Sequence, residues 1–232
     1  MSLQWHEFAS KAQLDTALAT HIAERLKAAI DARGAASLAV SGGRTPAGMF
    51  AALAQSAIDW RRVNITLVDE RWVQPDHADS NERSVREHLL QGPAAQAHFI
   101  SLVNGAATPH EALTAIEARL AIFPSPIDVL ILGMGDDGHT ASLFPNAAEL
   151  ETACASAAQL AAVTPPVAPH QRITLTLPTI AKAREVIVHI TGDSKKALLQ
   201  TALGEDKPVP LQYPIRRVLD RVATNKSVFW TA

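Results

Sequence analysis

An apolar run that breaks into a glycine turn most constrains the fold of this chain. Residues 127–132, IDVLIL, have the length and branching of a buried strand. Residues 133–138, GMGDDG, end that run, and the segment beginning at His139 is expected to be helical. A strand, a glycine turn and a helix start in succession form the place where an open α/β sheet binds its ligand. His139 is therefore the strongest catalytic candidate in the chain.

Apolar strands alternate with helical segments along most of the sequence. Leu14, Leu18, Ile22 and Leu26 recur at four-residue steps and predict a helix over residues 14–32. Strands are predicted at residues 37–40, 63–68, 98–103, 127–132, 160–163, 172–177, 186–191 and 227–231. Further helices are predicted at residues 47–54, 109–120 and 192–203, and another helix is predicted to follow a capping box at residues 79–82. Residues 204–213 are predicted to form a proline-rich loop. This alternation predicts an α/β fold of the Rossmann type: one domain over residues 1–232, with a mostly parallel sheet and helices on both faces.

Charge and cysteine content exclude several classes of protein. The 232 residues carry a formal net charge of -2 and no long run of either sign, so no nucleic-acid partner is expected. Cys154 is the single cysteine, which excludes an intrachain disulfide and suits a reducing compartment. No signal peptide and no apolar run of about 18 residues is present, so we expect a cytoplasmic protein without a membrane partner. The sequence leaves the oligomeric state open, and a monomer is plausible.

Four polar motifs each follow the carboxyl end of a predicted strand, at residues 41–46, 69–73, 133–145 and 192–195. In a parallel sheet these ends meet at one edge, where open α/β folds bind ligands. The convergence of four motifs favours a ligand site at that edge more strongly than any single motif does.

The SGGRTP motif has the composition of a phosphate-binding turn before a helix. Gly42 and Gly43 allow backbone N–H groups to approach an oxyanion, and the helix start adds a favourable dipole. Thr45 offers a hydroxyl donor and Arg44 a positive charge, while Lys195, beside a second helix start, can hold a phosphate as a point charge. The alternatives are a tight capped turn and a surface lysine, and the P-loop spacing is absent.

Asp69 and Arg71 stand at the end of the second predicted strand of the sheet. Arg71 could orient an anionic or carbonyl oxygen, and Asp69 could act as a base or orient a neighbour. A solvated, salt-bridged turn is the alternative for these charges.

The protonation of His139 depends on two opposing influences. The N-terminal end of a helix disfavours the imidazolium and would keep the ring neutral, ready to accept a proton. Asp136 and Asp137 favour the charged ring if their side chains approach it. The sequence leaves this competition open.

Two other kinds of site fit the sequence poorly. Residues 133–138 match the G-x-G-x-x-G pattern, but no strand with an acidic end lies about 20 residues on, at 153–154. The two aspartates in the turn would also repel a pyrophosphate. Residues 76–79 include possible metal ligands, yet no H-E-x-x-H motif or second His/Cys cluster accompanies them.

Together these motifs resemble those of the 6-phosphogluconolactonase family. The resemblance rests on Ser41–Pro46, Asp69–Val73, Ser80–Glu82 and above all Gly133–Pro145, and it extends in order to residues 192–195. The string GHTASLFP is highly specific, because the related glucosamine-6-phosphate deaminases follow their D-G-H with a different string ending in Asn-Glu-Pro. Residues 213–216, YPIR, depart from the family, which often has Pro-Ala-Ser there.

The resemblance implies a fold of the sugar-phosphate isomerase and deaminase type. It also implies hydrolysis of 6-phospho-D-glucono-1,5-lactone in the oxidative pentose phosphate pathway, with no cofactor and no metal. By the residues and the resemblance, His139 is expected to be the general base, Arg71 to orient the substrate and Asp69 to position Arg71 or His139. Phosphate binding is expected at Gly42, Gly43, Arg44, Thr45 and Lys195.

Two alternative functions remain open. A glucosamine-6-phosphate deaminase or isomerase would use Asp69 as the proton-abstracting base. A non-catalytic sugar-phosphate sensor is the other alternative, and the lack of a helix-turn-helix segment or a basic arm weighs against it.

Overall fold

A computed structural model describes residues 2–204 and 213–232 of the chain. The strands are β1 (Gln4–Phe8), β2 (Ala36–Val40), β3 (Val63–Leu67), β4 (Asp69–Arg71), β5 (His98–Ile100), β6 (Val129–Leu132), β7 (Leu160–Val163), β8 (Arg172–Leu175), β9 (Glu185–Thr191) and β10 (Asn225–Thr231). The helices are α1 (Lys11–Arg33), α2 (Ala47–Ala54), α3 (Asn81–His88), α4 (Pro109–Leu120), α5 (Leu150–Ala155), α6 (Leu177–Ala181), α7 (Asp193–Leu203) and α8 (Pro214–Arg221), and short 3₁₀ turns lie at Trp60–Arg62 and Gly92–Gln96. Within the described ranges no helix combines the length and the apolarity that a bilayer crossing requires.

Seven strands form one parallel sheet in the order β1-β10-β9-β6-β2-β3-β5. The central strands β2 and β6 are buried along their whole length, as strands covered on both faces must be. Helix α1 buries the leucines and the isoleucine whose spacing predicted it. Its first turn is capped by Ser10, and Gly34 ends it in a left-handed conformation. The predicted α/β fold with a mostly parallel sheet is therefore confirmed.

A second, antiparallel sheet of three strands has the order β4-β8-β7 and was not predicted. Strand β4 has only three residues and follows β3 after a single intervening residue, so no period of two marks it in the sequence. Its pairing with β8 sets Arg71 opposite Arg172. This small sheet therefore fixes the backbone that carries Asp69 and Arg71.

Several element boundaries differ from the prediction. The strand predicted at 172–177 ends at Leu175, because the hydroxyl of Thr176 accepts the N–H of Thr179 and caps the short helix α6. Two further elements were not predicted: β1, a partly exposed strand at the sheet edge, and α8, which begins at Pro214. Most of the loop predicted at 204–213 lies at 205–212, outside the described residues.

Candidate active site

One cavity opens at the carboxyl edge of the parallel sheet, where β2, β3, β6 and β9 end. The four polar motifs that follow these strands do converge there. All eight residues singled out from the sequence line this cavity: Gly42, Gly43, Arg44, Thr45, Asp69, Arg71, His139 and Lys195. Asn81 and His189 also line it. Asn81 belongs to the Ser80–Glu82 motif but was not predicted as a site residue, and no motif pointed to His189.

The glycine-rich turn leads from β2 into α2 and is packed tightly against its neighbours. A side chain at Gly42 would overlap that of Asn81, and Gly43 has a φ of 90°. Ser41 joins the turn to β6, since its hydroxyl donates to the Ile131 carbonyl at 3.1 Å and accepts the Gly133 N–H at 3.1 Å. Gly42 is therefore required by space and Gly43 by backbone conformation, and Ser41 holds the turn beside the segment that leads to His139.

His139 does not begin a helix, so that prediction was wrong. Instead, the chain after His139 folds back through tight turns, and the next helix is α5. Ala141 has a φ of 49°, which an α-helix does not allow, and the hydroxyl of Thr140 donates to the Gly133 carbonyl at 2.7 Å. His139 therefore does not lie at the N-terminus of a helix, where a helix dipole would act on its ring.

Asp137 holds the imidazole of His139 in place. One carboxylate oxygen of Asp137 lies 2.6 Å from Nδ1 of His139 and accepts the His139 backbone N–H at 3.0 Å. The ring also packs against Phe144, with ring centroids 4.3 Å apart. Partial burial acts to raise the pKa of Asp137, but the N–H groups and charge of His139 outweigh it and lower that pKa. An ionised Asp137 that fixes Nδ1 leaves Nε2 as the basic nitrogen of the ring.

The segment at Tyr213–Arg216 packs on the turn before His139. Gly138 has a φ of 76°, and a side chain there would overlap the ring of Tyr213. The N–H of Ile215 donates to the Gly138 carbonyl at 3.1 Å. Residues 213–216 therefore pack against and support the turn that precedes His139.

Asp69 was expected to position either Arg71 or His139. The buried Asp69 carboxylate accepts the hydroxyl of Ser142 at 2.6 Å, and no hydrogen bond joins it to Arg71 or His139 within the described residues. Nη1 of Arg71 donates instead to the Asp79 carbonyl at 2.6 Å. Asp69 therefore fixes the segment that carries His139, while Arg71 is set by the loop before α3.

Glu70, which was not among the predicted site residues, connects the segments that carry Arg71 and Asn81. Its buried carboxylate accepts the backbone N–H groups of Arg71, Asn81 and Glu82 and the hydroxyl of Ser80. Burial raises the pKa of Glu70 to about 7, and the three N–H donors oppose that rise. One side chain thereby joins β4 to the start of α3. The only signal in the sequence was the capping box at 79–82.

Two further groups shape the cavity. Lys195, at the start of α7, lines the cavity, and its Nζ lies 2.6 Å from the carboxylate of Asp136. His189 on β9 is buried, and its Nε2 has no partner among the described residues. Burial, followed by the nearby charge of Lys11, lowers the pKa of His189 to about 4 and keeps this ring neutral. A polar residue inside an apolar strand was the one available signal for His189.

Comparisons with known proteins agree with this geometry. A model of the family "Glucosamine-6-phosphate isomerases/6-phosphogluconolactonase" matches residues 9–230. A 6-phosphogluconolactonase of Neisseria meningitidis is 44% identical over 231 residues, covering 97% of this chain and 98% of the relative. One of Pseudomonas aeruginosa is 44% identical over 214 residues, covering 90% of each.

Solved structures give the same result. The crystal structure of a 6-phosphogluconolactonase from Shewanella baltica superposes with a TM-score of 0.96 at 44% identity, covering 100% of this chain and 98% of that one. A monomeric glucosamine-6-phosphate deaminase shares the fold, with a TM-score of 0.77 at 16% identity and coverage of 99% of this chain and 97% of that one. The chain therefore belongs to the family of glucosamine-6-phosphate isomerases and 6-phosphogluconolactonases.

Proposed function

We propose that the chain hydrolyses 6-phospho-D-glucono-1,5-lactone to 6-phospho-D-gluconate, with His139 as the general base. One observation carries the proposal: the imidazole held by Asp137 lines the same cavity as the SGGRTP turn. A base beside a phosphate-binding turn suits a phosphorylated ester, and relatives named for this reaction match nearly the whole chain. The oxidative pentose phosphate pathway and a cytoplasmic location belong to the same proposal.

The substrate phosphate binds at the turn formed by Gly42–Thr45. Its oxygens accept backbone N–H groups at the start of α2, where no side chain caps the helix. Lys195 supplies a positive charge from the opposite side of the cavity. Its present partner Asp136 is 93% exposed, so that ion pair contributes little and a dianionic phosphate can displace it. The phosphate thereby fixes the lactone ring relative to His139.

His139 activates water for attack on the lactone. Its Nδ1 donates to Asp137, and Nε2 takes a proton from a water whose oxygen adds to the carbonyl carbon. Arg71 keeps further N–H donors beyond the one bound to Asp79, and these stabilise the negative charge that develops on the carbonyl oxygen. The imidazolium then returns its proton to the ring oxygen as the C–O bond breaks, which yields the open-chain acid.

Glucosamine-6-phosphate deamination is the second candidate, and it would need Asp69 to abstract a proton from the substrate. The Asp69 carboxylate is buried and accepts a short hydrogen bond from Ser142. These surroundings suit a group that positions the His139 segment better than they suit a free base.

One assay separates these functions. The full chain is incubated with freshly prepared lactone, whose uncatalysed hydrolysis is subtracted, and separately with glucosamine 6-phosphate. Release of acid from the first substrate, without ammonia from the second, is the expected result. Ammonia release, or binding of either compound without turnover, would overturn the proposal.

A further inference from the structure

Two histidines and an aspartate meet outside the cavity that holds His139. One ligand atom from each of His77, Asp79 and His170 lies within 4.8 Å of the other two. His77 and Asp79 belong to the loop before α3, and His170 belongs to the loop before β8. The possible metal ligands at residues 76–79 include the first two residues but not His170, which lies about 90 positions further along the chain. Folding therefore assembles a cluster that no local motif encodes.

The loops that carry the cluster are already joined to each other. Nε2 of His170 lies 3.0 Å from Oδ2 of Asp79, and Nδ1 of His77 accepts the Asp79 backbone N–H at 3.1 Å. The N–H of Trp72 donates to the Gln171 carbonyl at 2.8 Å. These contacts hold the three side chains near one point, so an ion bound there would find most of the site preformed.

The backbone at His170 adopts a left-handed conformation that is uncommon for a residue other than glycine. His170 has a φ of 68°, a left-handed conformation that costs a non-glycine residue on the order of 1 kcal/mol. The hydrogen bond to Asp79 lies at this strained position. Strain of this kind is concentrated at ligand-binding sites.

We propose that His77, Asp79 and His170 bind one divalent transition-metal ion of the zinc, cobalt and nickel class. Two imidazoles and one carboxylate form a donor set that these ions prefer, whereas calcium and magnesium prefer oxygen ligands alone. Ligands bound to zinc at about 2.0–2.2 Å stand about 3.3 Å apart in a tetrahedron. His77 and Asp79 have side chains that are 45% and 52% exposed, so small rotations can close the remaining distance.

Neighbouring charges limit the affinity without excluding the ion. Arg71 donates to the backbone carbonyl of Asp79, which places a guanidinium close to the cluster. Because Arg71 binds the backbone carbonyl of Asp79, the Asp79 carboxylate stays available to the metal. A bound ion would fasten the two loops together beside Arg71, and so beside the cavity.

Calorimetric titration of the chelator-treated full chain with zinc chloride tests this proposal, supported by the visible spectrum of the cobalt complex. We expect one saturable site whose affinity falls at least about tenfold in each of His77→Gln and His170→Gln. His110→Gln, an exposed histidine on α4, is the matched control and should bind like the wild type. His139→Gln should also retain the site, since His139 and Asp137 form a competing pair inside the cavity.

Thermal unfolding gives a second measurement on the same proteins. A metal that binds only the folded state raises Tm with concentration, and this rise should disappear in His77→Gln and His170→Gln but persist in His139→Gln. Absence of saturable binding to the wild type would overturn the proposal. So would binding that survives both cluster variants or that is lost in His139→Gln.

Discussion

Replacing Asp137 with asparagine tests how His139 is held for its proposed role as the general base. One oxygen of Asp137 contacts both Nδ1 and the backbone N–H of His139, at 2.6 Å and 3.0 Å. The asparagine keeps the size of the side chain but removes its negative charge. Its amide can also turn an NH₂ group toward Nδ1, which would favour the tautomer whose Nε2 carries the proton and cannot accept another. The folded chain should therefore bind substrate but activate water poorly.

The magnitude follows from the kind of hydrogen bond that is lost. Hydrogen bonds to charged groups contribute about 1.5–3 kcal/mol, which corresponds to about 10- to 150-fold in rate. The Asp137 side chain is 46% exposed and the ring 30%, so solvent screening moves the expected loss toward the lower end. We predict that kcat falls about 10- to 50-fold, while KM stays within about twofold because Asp137 lies outside the proposed phosphate-binding turn.

The assay follows acid release from freshly prepared lactone over a range of substrate concentrations. Asp136→Asn is the matched control, because this neighbouring aspartate contacts Lys195 rather than the histidine. That change should leave kcat within about twofold and alter only KM. A wild-type kcat in Asp137→Asn, or equal losses of kcat in both variants, would refute the role given to Asp137.

Three further predictions concern the surroundings of the site. The methyl group added in Gly42→Ala would overlap the Asn81 side chain. We therefore expect a higher KM and a free energy of unfolding that is lower by about 1–3 kcal/mol, measured with urea. An unchanged KM and an unchanged free energy of unfolding would contradict the tight packing of Gly42 against Asn81. Glu70→Gln turns an NH₂ group toward backbone N–H donors, so we expect the free energy of unfolding to fall by about 1–3 kcal/mol. An unchanged midpoint of urea unfolding would contradict the role given to Glu70. Because burial lowers the pKa of His189 from 6.5 to about 4, the unfolded chain takes up a proton between these values that the folded protein does not. The free energy of unfolding should thus fall as the pH drops from 6.5 toward 4, and it should fall by up to about 3 kcal/mol more in the wild type than in His189→Phe. An equal pH dependence of stability in the two proteins would contradict this prediction.

The parallel sheet and the edge that holds the cavity were predictable from the sequence. The central strands are short apolar runs between glycine turns and helices, and such runs carry their own signal. Because parallel strands end at one edge, the polar residues that follow them had to meet. The tight turn at Gly42 and Gly43 was also predictable, since tight turns before helices need the small size and backbone freedom of glycine.

The parts that the sequence did not reveal depend on contacts between distant segments. The positive φ of Ala141 prevents the expected helix after His139, and no local preference for a helix or a turn foretells it. The role of Glu70 arises from N–H groups about a dozen residues away, at the start of α3. Strand β4 exists because β8, about 100 residues later, pairs with it. Tertiary contacts decided each of these features against or without local propensity.

Removal of the His139 imidazole tests the central claim most directly. The measurement is kcat for fresh lactone in His139→Ala, together with the affinity of the variant for 6-phosphogluconate. We predict a fall in kcat of about 10²- to 10⁴-fold with product affinity within about threefold of the wild type, since the phosphate turn is untouched. A His139→Ala protein that keeps the full kcat would contradict the assignment of His139 as the general base.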